Sequence, residues 1–472
     1  MEIKIGRKQY FWAYANYFFK LGSFFFVAPF VWKYLPKTHV DVWFLFTLIT
    51  SSIGLLDFGF TPNASRAITC AFSGAREILR EGISEQEAGK EPNYVLLHAL
   101  FRACKKVYAI IAAAVFLLLS IFGTYYLYEN GTKIEGFVFS EILPTWVLFI
   151  FSTVLAIYFR YLDVFIGGRG AIALANKVGI ATGVMGIVFN FLVLYFGHGL
   201  LGTVCVSLGL SLLMRFVVVR VYFDAPLKSR LRAAAQSGEK PSVLPIIWHN
   251  AKKSGMNSIG VFLIYQATGF VGLHYFPNDF TKILITLRVF NFLNIFSSSY
   301  FNLTYPRYVS LLVSGKMESL RWEFLRAVFI SIAILAVGTG AVIWKGDALL
   351  HLVGRDKVLL PGTAVVLLYA GVYFTEAIHG KCATLITAKN VIPFVPTTFL
   401  TGTANILLCL VFINFTEIGL LSFPLATLCA QLSYNSWRWP LWVIRDFQFS
   451  FRDVSNALSF SLLSARKQLS RK

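Results

Sequence analysis

At 472 residues, with 57% hydrophobic and only 14% charged side chains, the chain is too apolar to be a set of soluble domains. Its net charge of +20 comes from Lys and Arg gathered in alternate gaps between long apolar runs. Membrane topology accounts for that bias, so no nucleic-acid partner is needed. The 6 cysteines avoid the gaps read as extracytoplasmic and no metal-ligand spacing occurs, which excludes a disulfide scaffold and a metal centre.

About 20 apolar residues suffice to cross a bilayer as a helix. In chain order twelve stretches qualify, at roughly 10–32, 42–62, 104–128, 142–165, 174–196, 200–222, 257–276, 280–304, 324–344, 358–380, 391–413 and 417–440. The first is too long for a signal-peptide core and is expected to remain. The basic gaps, including 63–103 and 223–256, are held on the cytoplasmic side during insertion, which places both termini there. Trp12, Trp248, Trp322, Trp437, Trp439 and Trp442 fall near inner ends, and Trp32, Trp43, Trp146 and Trp344 near outer ends, as amphipathic indoles do at headgroup level. The outside gaps are too short for a catalytic domain, so no enzyme is expected.

The segment 223–256, broken by Pro226, Pro241 and Pro245, divides two sets of six spans. Tyr34-Leu35-Pro36 matches Tyr275-Phe276-Pro277 at an offset of 241, and at the same offset Phe60 meets Phe301, Arg66 meets Arg307, and Ser73-Gly74 meets Ser314-Gly315. The expected fold is therefore an all-α integral membrane protein of about twelve transmembrane helices, in two six-helix bundles. A pseudo-two-fold axis along the membrane normal relates them, with a substrate site where they meet. The expected units are 1–225, a cytoplasmic connector 226–256, 257–445 and a basic cytoplasmic tail 446–472.

Ionisable groups inside spans cost ~2.5–3.5 kcal/mol each on insertion scales, so they face cavities or partners. Lys20 lies roughly 15 Å into span 1 and Arg288 roughly 12 Å into span 8, at 1.5 Å per residue. Arg288, Asn291, Asn294, Ser298 and Asn302 fall within about 120° on span 8; Gln9, Asn16, Lys20 and Ser23 fall within about 60° on span 1. Lipid cannot satisfy such stripes, so they predict a hydrated, electropositive cavity between the halves. Plainer readings stay open: Lys20 snorkels or pairs with Asp57, and the asparagines bond to neighbouring helices. Arg66 and Arg307, at matching inner ends, are substrate contacts or topology anchors, and Arg215 is a snorkelling cation. Glu376, sharing a face of span 10 with Tyr369, Tyr373 and His379, and Asp57 are the candidate ion-coupling carboxylates, with a proton or sodium as the ion. Interfacial solvation of Glu376 and pairing of Asp57 with Lys20 are the alternatives.

The run Gly54-Leu55-Leu56-Asp57-Phe58-Gly59-Phe60, followed by Asn63, Arg66 and Ala71-Phe72-Ser73-Gly74-Ala75, resembles the second-span region of bacterial polysaccharide-repeat (O-antigen) flippases. These belong to the multidrug/oligosaccharidyl-lipid/polysaccharide exporter superfamily; size and span number extend the resemblance over the chain. It implies a carrier, without cofactor, moving an undecaprenyl-pyrophosphate-linked oligosaccharide across the bacterial inner membrane by alternating access. Lys20 and Arg288, with Asn16 beside the former, would hold the diphosphate in a cavity lined by spans 1, 2, 7 and 8. Asn291, Asn294 and Asn302 would meet sugar hydroxyls, and Arg66 and Arg307 the headgroup at entry. Implied partners are membrane lipids, a polysaccharide polymerase and a chain-length regulator. Span 7 departs from an even sharing of the headgroup, offering only Asn257, Tyr265, Gln266 and Thr268. Competing readings are a multidrug exporter, which needs acidic cavity residues, a lipid II flippase, which commonly has two further spans, and a membrane glycosyltransferase or polymerase, which needs larger outside loops.

Overall fold

The computed structural model describes residues 7–57, 60–78, 91–134, 136–169, 172–236, 241–313, 315–353, 360–389, 391–450 and 452–453, and the only regular structure among them is helix. In hydrocarbon every backbone N–H and C=O must bond within its own segment, so the long apolar runs have no other choice. The first half crosses six times: α1 (Arg7–Tyr34); α2 (Lys37–Ile53) with α3 (Phe60–Phe72); α4 (Tyr94–Leu118) with α5 (Thr124–Gly131); α6 (Phe139–Tyr158) with α7 (Arg160–Gly168); α8 (Ile172–Tyr195); and α9 (Gly199–Tyr222). A short helix, α10 (Ala225–Gln236), follows. The second half crosses as α11 (Leu244–Tyr265) with α12 (Ala267–Tyr275); α13 (Phe280–Val313); α14 (Met317–Val353); α15 (Thr363–Thr387); α16 (Val395–Phe415); and α17 (Ser422–Ser433) with α18 (Asn435–Asp446). The expected multi-pass, two-bundle architecture is what the chain adopts.

Among the described residues, 8 helical stretches are long and apolar enough by themselves to span a membrane. The other four are instructive: α2–α3 and α17–α18 are not continuous through the crossing, α15 carries Glu376 and His379, which depress its hydropathy, and α1 contributes only the shorter apolar stretch Phe24–Tyr34. The basic tail expected over 446–472 lies mostly outside the described residues.

In the first half α1 packs on α8, α4 on α6 and α6 on α9; in the second α11 packs on α16, α13 on α14 and α15 on α18. The halves meet where α1 and α2 touch α13 and where α3 touches α11. Glycine sets one of these distances. A Cβ at Gly260 of α11 would lie 2.6 Å from the Thr398 carbonyl carbon, and one at Gly402 of α16 would lie 2.7 Å from the Gly260 oxygen. Such backbone-on-backbone packing substitutes for a hydrophobic drive, which lipid does not provide between helices. Gly260→Ala cannot be relieved by a rotamer change and is expected to destabilise by ~1–3 kcal/mol in detergent melting experiments. Gly209→Ala, where a Cβ meets nothing within 4 Å, is the control.

The offset of 241 reappears in the backbone. Helices α3 and α13 end at equivalent residues, Phe72 and Val313, and the following Gly74 and Gly315 both take left-handed φ, 83° and 71°. Phe60 and Phe301 are each 1% exposed. Arg288 Nη2 donates to the carbonyl of Thr47, its own equivalent 241 positions earlier. Equivalent residues touch only close to the axis that relates them, so the axis passes through the crossing of α2 and α13. The halves then differ: α13 runs unbroken through 295–298, whereas the equivalent Gly54–Asp57 is a 3-10 turn after α2.

Candidate polar cavity at the axis

Asp57 explains the break. Its carboxylate accepts hydrogen bonds from the Thr61 backbone N–H (2.9 Å), the Thr61 hydroxyl (2.8 Å) and the Tyr108 hydroxyl (2.5 Å). A carboxylate at the first turn of α3 satisfies donors that the helix leaves unpaired and complements its dipole. Those bonds tie α3 to α4. Whether Asp57 also meets Lys20 lies outside the described residues, as do the side chains of Lys20 and Asn16. Their backbones belong to α1, and position 20 is seven residues before Val27, hence on the same helix face by the 3.6 period.

That face matters because Val27 and Phe24 line a cavity of about 520 Å³. Its wall continues through Trp43, Thr47 and Ser51 of α2, Thr182 and Asn190 of α8, and Thr203, Ser207 and Ser211 of α9. Arg288, reaching across from α13, closes it. The sequence placed the cavity between the halves; it opens within the first half, and the second contributes the cation at its edge. The described wall sets hydroxyls and one amide among aromatic and aliphatic side chains such as Trp43, Phe46, Phe149 and Leu210. Thr182, Asn190, Thr203 and Ser207 donate to carbonyls of their own helices, which leaves oxygen lone pairs facing the space. Arg288 is the single ionisable side chain among the described lining residues.

The guanidinium is held from three sides. Nη2 bonds to the Thr47 carbonyl and to Ser51 Oγ at 3.1 Å, and Ser51 Oγ reaches Gln266 Oε1 at 3.1 Å. The Phe24 ring lies beneath it, 5.7 Å from the guanidinium carbon. The described bonds use Nη2 alone, so the Nε and Nη1 hydrogens remain for a ligand. Asn291 and Asn294, half-buried, and Asn302, exposed, make no side-chain hydrogen bond among the described residues, but they do not line this cavity.

A second polar centre fills the core of the other half. Glu376 Oε2 accepts from the Tyr265 hydroxyl and lies 2.9 Å from His379 Nε2. His379 Nδ1 donates to the Thr375 carbonyl at 2.7 Å, since a carbonyl only accepts. One proton is therefore shared between Nε2 and the carboxylate, either as an imidazolium–carboxylate or as an imidazole–carboxylic acid pair. The network continues from Tyr265 to Gln431 (3.0 Å), Asn435 (3.1 Å) and Trp439 (3.1 Å). Lys381, only 4% exposed, bonds to Ser298 Oγ at 3.2 Å and the Ala377 carbonyl at 3.0 Å. The sequence missed Lys381 because it ended span 10 at residue 380, where the charge interrupts the apolar run; α15 continues to Thr387. The hydroxyl stripe of α9 was also missed, although Thr203, Ser207 and Ser211 at i, i+4 and i+8 announce it.

The remaining expected residues lie on α3, α9 and α13, away from the Arg288 cavity. Arg307 pairs with Glu323 at 2.5 Å, and Arg66 is exposed on α3. Arg215 pairs with Asp163. At the opposite end, hydrogen bonds join the halves: Thr281 to Asp41, the Tyr126 hydroxyl to the Phe270 carbonyl (2.8 Å), and His274 Nδ1, which according to its tautomer donates to Asn130 Oδ1 (3.0 Å) or accepts from Lys133 Nζ (2.9 Å). If the halves must separate here in each cycle, cysteines replacing Asn130 and His274 in a cysteine-free background will, once cross-linked, reduce transport to background, and reductant will restore it.

Neither a protein-family model nor a curated protein sequence matches the chain. Solved structures do. One is a multidrug resistance MATE family transporter of the MOP superfamily in an inward-facing conformation, with TM-score 0.67, 12% identity and coverage of 91% of this chain and 95% of that one. An outward-facing structure of a multidrug resistance MATE family transporter of the MOP superfamily matches with TM-score 0.62 and 10% identity over 93% and 94%. A MOP superfamily transporter from Pyrococcus furiosus, described as having a binding pocket of reverse polarity, matches with TM-score 0.64 and 11% identity over 93% and 95%. Over nearly its whole length the chain has the fold of MATE transporters of the MOP superfamily.

Proposed function

We propose that the protein transports an anionic, lipid-linked oligosaccharide, of the polyprenyl-diphosphate class, by alternating access of its two halves. The observation that carries this reading is the charge of the cavity: among its described lining residues the one ionisable group is Arg288, fixed at the axis. A guanidinium offers a diphosphate directional, charge-assisted hydrogen bonds in place of lost hydration. Lys20, on the face of α1 that carries Val27, would add a second cation, and Asn16 lies on the same stripe. Oxygen acceptors on α8 and α9 suit sugar hydroxyls, and Asn291, Asn294 and Asn302 extend that capacity along α13. With the basic end toward the cytoplasm, Arg66 and Arg307 lie at the entry side.

Two further features support the class of cargo. Apolar cavities of about 690 and 390 Å³ run along the seam of α4 and α11, suiting a chain that stays in lipid while its head crosses. The structural neighbour with reversed pocket polarity shows that this fold accommodates different pocket charge. Glu376 and His379, sharing one proton, are the place where a coupling proton would be held.

A multidrug exporter of organic cations would want a carboxylate in the cavity. Glu376 is engaged elsewhere, and Asp57, held by Thr61 and Tyr108, lies in the wall of the cavity of about 690 Å³ and not of this one. The test is a proteoliposome assay with two cargoes, a fluorescent polyprenyl-diphosphate sugar and a cationic dye. Protein-dependent leaflet exchange of the lipid, with the dye retained, is expected; dye efflux without lipid exchange would reverse the assignment.

A further inference from the structure

We propose that a basic pocket at the terminus-bearing end of the first half binds the phosphate head of an anionic lipid. The pocket, of about 630 Å³, lies between α4 and α10. Arg102, Lys105 and Lys106 of α4 face Lys228 and Arg232 of α10 across it, with His98 at its edge. Helix α10 is brought there by its apolar side: Leu227 and Leu231 are buried, and the helix packs on α4. Lys228 and Arg232, four residues apart, therefore share a face turned toward three cations.

Several basic groups elsewhere on the protein have a carboxylate partner, which the cations of this pocket lack among the described residues. Arg307 pairs with Glu323, Arg321 with Asp453, Lys389 with Asp446, and Arg215 with Asp163. No ion pair or side-chain hydrogen bond is found for Arg102, Lys105, Lys106, Lys228 or Arg232 among the described residues. Asp224, the acid nearest in sequence, accepts from the Leu227 N–H at 3.1 Å, capping α10. Arg230, the third cation of α10, is accommodated separately by Tyr94, donating to its hydroxyl at 2.9 Å and lying 5.1 Å from its ring centroid.

Topology alone would require only that these residues remain on one side of the membrane. It does not require two helices to pack with five cations around one concavity. An anion relieves the resulting repulsion, and the rest of the lining says what kind. Phe101, Tyr158 and Phe223 supply an aromatic floor beside the cations, so the occupant has an apolar part next to its charge. The position, at the start of a helix long enough to span the membrane, is the headgroup level of one leaflet. The shared chemistry is a lipid-borne phosphate, drawn either from the bulk phospholipid or from a polyprenyl diphosphate.

Native mass spectrometry of the full chain released from nanodiscs tests this. Discs of equal phosphatidylcholine and phosphatidylglycerol are compared with phosphatidylcholine discs doped with polyprenyl diphosphate. The expected result is retention of an anionic lipid about tenfold or more above phosphatidylcholine. Phosphatidylglycerol retention assigns the site to bulk lipid; retention of the diphosphate alone assigns it to the proposed cargo. Lys228→Gln/Arg232→Gln, on exposed positions of α10, and Arg102→Gln/Lys105→Gln, on α4, are each expected to abolish the preference. Arg326→Gln/Arg445→Gln, which removes the same charge from the other half, is expected to leave it intact. Equal retention of neutral and anionic lipid, full preference in either pocket variant, or equal loss in the control overturns the proposal. Melting in phosphatidylcholine discs checks that each variant is folded; should one side's pair fail that check, the other side's pair decides.

Discussion

Arg288→Gln is expected to lower the apparent affinity for a diphosphate-linked cargo by roughly 10- to 150-fold, the equivalent of ~1.5–3 kcal/mol for hydrogen bonds to a charged group. Arg288→Lys keeps the charge but loses the planar fork that suits phosphate oxygens, so it should fall between wild type and Gln. Because Arg288 also bonds to Thr47 and Ser51 across the axis, part of any defect is structural. The two contributions separate experimentally: a cargo with a neutral head tests the conformational cycle, and binding of the diphosphate lipid tests the cavity. Equal losses for both cargoes would make Arg288 a strut between halves and remove it from the binding site.

The buried network of the second half should give the largest stability effect. Lys381 is enclosed on α15, and Glu376 lies within its electrostatic range. Glu376→Ala leaves that cation, and the shared proton of His379, without a carboxylate. Breaking a buried pair from one side typically costs ~3–5 kcal/mol. Loss of folded protein, or a melting point lowered by many degrees in detergent, is therefore expected. Glu376→Gln/Lys381→Met removes both charges at similar volume and should be milder than the sum of the single changes, since no ion is left unpaired. Strict additivity in that cycle would show that the two groups do not interact. Glu376→Gln also tests coupling: if the proton shared with His379 drives the cycle, stimulation by a pH gradient disappears while cargo binding persists.

How legible the molecule is in its sequence depends on the physics of each part. The crossings were readable because the bilayer imposes one length and one kind of backbone bonding, and no packing preference competes with that constraint. Errors sit where an ionisable residue interrupts an apolar run. Lys381 marks a false end of span 10, because a hydropathy window registers the charge and cannot see Ser298 and the Ala377 carbonyl that satisfy it. The DFGF element was recognisable as special, but its reason is an Asp57 cap that needs Tyr108, 51 positions away.

From the residues alone came the all-helical membrane class, about twelve crossings, the offset of 241 and the expectation that Lys20 and Arg288 are the cations of interest, since each follows from periodicity, charge and self-comparison. Tertiary structure alone decided which wall Arg288 faces, that this wall belongs to the first half, and that α4 and α10 surround one pocket with cations. A helix wheel specifies a face but not the neighbour opposite it. That neighbour is chosen by packing, here of α1 on α8 and α2 on α13, between residues far apart in the chain.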